Sequence, residues 1–131
     1  VVLVEDGFRV EAPDLARARA ALTQWCRRRA RQVIADCVAA HASRMGVSFA
    51  CVRIGDPRTR WGSCSPKGSL SFSWRLLMAP PGVRDYVVIH ELCHLKEMNH
   101  GRAFWKLVGE NCPDYKAHRK WLRENGPTLV L

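Results

Sequence analysis

Residues 90–94 read His90-Glu91-Leu92-Cys93-His94, directly after Val87-Val88-Ile89, and no other segment restricts the fold as much. In an α-helix the two histidines lie one above the other, about 6 Å apart along the axis, so both imidazoles can reach one ion. Two imidazoles in this spacing supply two of the three protein ligands that a catalytic zinc requires. Glu91 is rotated by about 100° from His90, where its carboxylate can reach a metal-held water without ligating. The apolar run before the motif calls for burial of this helix, which would hold the ligands rigidly. A metal-free pair of core histidines is the rival reading, and it buries a Glu charge with no cation to balance it.

A third ligand has to come from beyond the helix. His100 follows His94 by six residues, the interval of the HExxHxxGxxH pattern. Glu97 stands where that pattern has its glycine, and no Met-turn follows, so the chain is not a metzincin. Asn99, which tolerates left-handed backbone, can supply the turn instead. The downstream carboxylates Glu110 and Glu124 are alternative third ligands. His41 and His118 have no motif context and read as structural or solvent-facing.

The remaining segments read as short elements around this helix. Val2 and Val4 before Asp6-Gly7, with Phe8 and Val10 after it, predict a hairpin over residues 1–11. Asp14 is expected to cap a helix reaching about Arg44, with Leu15, Leu22, Trp25, Ile34, Val38 and Met45 in its apolar stripe. Gly46 ends it, and residues 47–54 alternate like a strand. The Ser65-Pro66-Lys67-Gly68 turn joins Trp61–Cys64 to Leu70–Trp74, predicting an antiparallel hairpin at about 59–75. The motif helix is expected to start at Pro81 and reach Met98. A third helix carries Phe104 to Val108 and stops at Cys112-Pro113; Asp114 is expected to cap a fourth, ending at Asn125-Gly126-Pro127.

Composition narrows the class. With 47% hydrophobic and 25% charged residues the chain is no disordered tail, and its 131 residues suit one domain spanning 1–131. No apolar run approaches the ~20 residues that span a bilayer, so no membrane partner is expected. The chain begins at Val1 without a Met, which marks it as an expected C-terminal part of a longer protein. Its six cysteines form no CxxC pair, and Cys93 lies between the motif histidines, so they read as free thiols of a cytoplasmic protein. A net charge of +9 favours acidic partners, nucleic acid among them. Arg27, Arg28, Arg29 and Arg31 cluster in the first helix, where they also fit a solvated face.

Taken together, Arg60-Trp61-Gly62-Ser63-Cys64, Trp74-Arg75-Leu76, Ala79-Pro80-Pro81, Asp85-Tyr86-Val87-Val88, the HELCH motif, Asn99-His100, Phe104-Trp105 and Trp121-Leu122 resemble the YgjP-like metallopeptidases. That family is similar to the SprT-like zinc peptidases. The resemblance runs from about Trp25 to Gly126 and implies an α+β, minimal zincin-like fold: a helix, a small mainly antiparallel sheet, then the active-site helix. It implies zinc (Zn2+) on His90, His94 and His100, and Glu91 as the catalytic acid and base. Gly101 stands where the family pattern has a Ser, and Ser73 where it has an Asn.

The expected activity is hydrolysis of a peptide or protein substrate through a zinc-bound water activated by Glu91. Tyr86, Arg75 and His118 are candidate donors to the oxyanion. Two other readings compete. One is a DNA-associated protease of the SprT-like kind; the other is a non-enzymatic zinc-stabilised module whose fourth ligand is Cys93 or Cys112.

Overall fold

A computed structural model describes residues 2–4, 7–9 and 14–129. Among them β1 (Val2–Val4) pairs antiparallel with β2 (Gly7–Arg9), as expected of a hairpin. Asp6 and Val10, half of the turn and the end of the hairpin, lie outside the described residues, and Gly7 is already paired with Val4.

Helix α1 spans Leu15–Met45. Asp14 caps it, its side chain accepting from the Arg17 N–H at 2.8 Å. Gly46 closes it at φ 68°, a left-handed conformation that costs glycine nothing and any other L-residue strain. The buried stripe is Cys26, Ala30, Ile34, Val38 and Ala42, one residue per turn. Leu15, expected in the stripe, is exposed. The small Cys and Ala side chains in the stripe let neighbouring elements approach the helix closely.

Strand β3 (Cys51–Gly55) starts four residues later than the alternation predicted. Strands β4 (Gly62–Cys64) and β5 (Ser69–Ser73) make the expected antiparallel hairpin. Its turn is closed by the Gly68 N–H donating to the Ser65 carbonyl at 3.0 Å, with Gly68 at φ 86°. The sheet order is β3-β5-β4, and β3 runs parallel to β5, so the sheet is mixed. Trp74 leaves the strand and opens a 3₁₀ helix, Trp74–Met78. Ser73 is the reason: its buried hydroxyl accepts from the Arg75 N–H at 3.2 Å and caps that turn.

Helix α2 (Pro81–Cys93) is the centre of the molecule, packed against α1, β4, α3 (Arg102–Asn111) and α4 (Tyr115–Asn125). Tyr86, Val87, Val88, Ile89 and Leu92 are buried along it, meeting Ile34, Val38, Phe72, Trp74 and Phe104 in one core, while Val83 packs with Ala79 and Leu129 in a smaller one. Each such side chain contributes roughly 1.5–3 kcal/mol by leaving water. Two expected helix ends differ. Helix α2 stops at Cys93, well short of Met98, because residues 94–97 tighten into turns that fold the chain back. Asp114 makes no side-chain cap on α4; its carbonyl, bonded by the N–H groups of Ala117 and His118, starts the helix instead.

Candidate active site

The early end of α2 builds the site. His94 is the C-cap residue of α2, still in helical conformation, so it keeps the one-turn register with His90. The N–H groups of Lys96 and Glu97 both bond the Cys93 carbonyl, which turns the chain off the helix axis. His100 then returns to face His90, their Nε2 atoms 3.3 Å apart. Ring nitrogens of His90, His94 and His100 all lie within 4.8 Å of one another. Neither Glu110 nor Glu124 joins this group, and neither Cys93 nor Cys112, both buried in the core, brings a thiol to it. The zinc-stabilised module closed by a cysteine therefore lacks its fourth ligand among the described residues.

Phe104 fixes the rings from below. It is fully buried on α3 and touches all three imidazoles, stacked on His94 at 4.4 Å and edge-on to His90 and His100 at 5.0 and 4.9 Å. The Glu97 carbonyl, which can only accept, takes the Nδ1 proton of His94 at 3.1 Å. That leaves the Nε2 lone pair of His94 free, the tautomer a metal ligand needs. The Tyr86 hydroxyl lies 3.4 Å from Nδ1 of His90 and can hold that ring in the same way.

Burial governs the charges. It pushes His90 down to about 3, helped by His94, His100 and the Arg119 guanidinium. It lowers His94 as well. Both rings are therefore neutral near pH 7, with lone pairs for an ion. Burial raises Glu91 to about 7 against a weaker opposing pull from Arg60. Three converging imidazoles fit zinc. Ligands held at 2.0–2.1 Å from a tetrahedral ion are about 3.3 Å from each other, and the His90 and His100 nitrogens show that separation.

The cleft continues along α2 on both sides of His90 and Glu91. One hollow, about 300 Å³, includes Tyr86, Val87, Arg119 and Leu122; the other, about 280 Å³, includes Cys64, His94, Met98 and His100. Arg60 and Gly62 line both. Of the three expected oxyanion donors only Tyr86 is here. Arg75 is held by Asp56 at 2.8 Å and by the Leu129 carbonyl at 2.9 Å, and His118 lies against Gly82. Sequence reasoning missed Arg119, which α4 brings across from 28 positions after Glu91, and the closeness of Gly62 to Glu91. No local pattern marks either one.

A family model described as YgjP-like, metallopeptidase domain, matches residues 5–125. The fold is similar to the crystal structure of the metallopeptidase zymogen of Pyrococcus abyssi abylysin. The TM-score there is 0.57 at 23% identity, covering 69% of this chain and 93% of that one. It is similar too to the metallopeptidase zymogen of Methanocaldococcus jannaschii jannalysin, with a TM-score of 0.53 at 19% identity, covering 64% and 90%. At these identities the likeness is one of fold. No curated protein matches the chain.

Proposed function

Because the chain belongs to the YgjP-like metallopeptidase family, we propose that it is a zinc-dependent endopeptidase with His90, His94 and His100 as metal ligands and Glu91 as general acid and base. The observation that carries this reading is the convergence of three histidines beside one buried carboxylate in an open cleft. A bound zinc supplies Lewis acidity towards water and towards the scissile carbonyl. Glu91 takes the proton of the attacking water and delivers it to the leaving amine. Glu91 is buried in the cleft next to His90, where it can serve both transfers.

The substrate backbone lies along β4, the edge strand of the sheet, whose outer N–H and C=O groups face no other strand among the described residues. Tyr86, beside His90, donates to the developing oxyanion. Hollows on both sides of the catalytic pair leave room for substrate residues before and after the cleaved bond, which supports endopeptidase over terminal cleavage.

The test is Glu91→Gln. It is expected to retain one zinc per chain by elemental analysis and to lose about 10²–10⁴-fold in kcat on a peptide that the native protein cleaves. Full activity in that variant would remove Glu91 from the mechanism.

A further inference from the structure

The 300 Å³ hollow beside Tyr86 is walled by Trp61, Val87 and Leu122 and lined also by Arg60, Arg119 and, at its catalytic end, Glu91. Arg60 enters from the loop before β4 and Arg119 from α4, so elements far apart in the chain bring the two cations to one opening. Among the described residues neither makes an ion pair with an acidic side chain, although Arg17, Arg75 and Lys120 each do. Arg119 is not loose on the surface. Its guanidinium sits 4.7 Å over the Trp105 ring, and Trp105 in turn stacks on Tyr115 at 5.6 Å. Cation–π contact of this kind fixes the plane of the group and leaves its N–H edge free to donate.

Apolar walls with an anchored, unpaired cation at the mouth select an occupant with an aliphatic stem and an anionic head. A guanidinium recognises a carboxylate through paired N–H donors. We propose that this hollow is a carboxylate-selecting subsite, in which Arg60 and Arg119 bind an acidic group of the substrate next to the cleaved bond. The proposal rests on the peptidase reading for its placement in the reaction, but the hollow and its charges are there without it. The same carboxylate can come from a glutamate or aspartate side chain or from the C-terminus of a peptide.

The experiment uses zinc-loaded protein and matched fluorogenic peptides, with Glu exchanged for Gln at each position around the bond and with the C-terminus free or amidated. At one position the native protein is expected to favour Glu over Gln by about tenfold in kcat/KM, roughly 1.4 kcal/mol. Arg119→Glu, exposed and so tolerated by the fold, should erase that ratio or turn it towards Lys, and Arg119→Lys should keep part of it. If the ratio instead follows the free C-terminus, the subsite stands and its carboxylate is the chain end. In parallel, anisotropy of the labelled Glu and Gln peptides on the Glu91→Gln protein reads binding without turnover. Selective binding with no cleavage by the native protein keeps the subsite and ends the peptidase reading. Cleavage with ratios near one at every position, or a ratio untouched by both Arg60→Gln and Arg119→Glu, overturns the subsite and leaves the peptidase reading intact.

Discussion

Gly62 is where a single methyl group would reach the chemistry. A Cβ built there comes within 3.1 Å of the Glu91 Cγ and of the Phe72 ring, and 3.2 Å of Glu91 Oε2. Phe72 is fully buried and cannot retreat, so the carboxylate has to move by a few tenths of an ångström. A general base shifted that far loses alignment with the attacking water. Gly62→Ala is expected to lower kcat about tenfold, near 1.4 kcal/mol, with zinc content and melting temperature almost unchanged. Unchanged kcat would mean that the Glu91 position has slack. Gly101 is the contrast. Nothing lies within 4 Å of its Cβ position and it caps α3 without a side-chain bond, so a Ser placed there touches none of the proposed catalytic groups. Nothing in the run Trp61-Gly62-Ser63-Cys64 distinguishes a glycine pressed on the proposed catalytic carboxylate from one in an ordinary strand. The contact comes from 29 positions away.

Helices α1 and α2 are joined by a partly exposed polar clasp at the edge of their packing. Asp85 Oδ1 accepts from the Cys37 thiol and from His41 Nε2, both at 3.1 Å. Arg44 lies 3.0 Å from His41 Nδ1 and donates to Asn111 Oδ1 on α3 at 3.2 Å. A guanidinium only donates, so His41 accepts on Nδ1 and carries its proton on Nε2, pointed at Asp85. Although Cys37, His41 and Asp85 bring ligand atoms within 4.8 Å of one another, that proton keeps the imidazole from an ion. Burial, and then Asp85, pushes the Cys37 thiol up to about 12, so it stays a donor. Asp85→Ala takes the shared acceptor from two donors. Because the Asp85 side chain is 46% exposed and water can take over part of its role, the loss in denaturant titration is expected to be about 1 kcal/mol, with the three-histidine group still in place. A loss near zero would make the clasp incidental. This network explains the limits of reading the chain as a string. Periodicity located α1, α3 and α4, the turn at Gly68 located the β4–β5 hairpin, and the HELCH spacing placed His90 and His94 in the three-histidine group that could hold an ion. Each of these is a local signal. The parallel pairing of β3 with β5, the end of α2 at Cys93, and the joining of Cys37 to Asp85 across 48 positions depend on where distant segments meet.

Two groups within the molecule's excess of positive charge stand apart. Arg60 and Arg119 stand in the cleft, whereas Arg28, Arg29 and Arg31 are exposed on α1, off the stripe of Cys26, Ala30 and Ile34 that faces the core. Among the described residues no helix is long and apolar enough to cross a membrane. A net charge of +9 on 131 residues attracts polyanions at low ionic strength, and screening over about 8 Å at physiological salt removes most of that attraction. Duplex DNA is therefore expected to bind without sequence preference at about 50 mM salt, with affinity falling steeply by about 200 mM. The logarithmic salt slope counts the phosphates engaged, at about −0.9 for each. Exchanging Arg28, Arg29 and Arg31 for Gln should make it shallower by about 3 if all three meet phosphates. Cleavage of a short peptide by the same triple variant should stay at the native rate, since none of these side chains lines the cleft. A slope that does not change would return the α1 arginines to the role of a solvated face. It would also leave the cleft cations as the part of the charge that selects a partner.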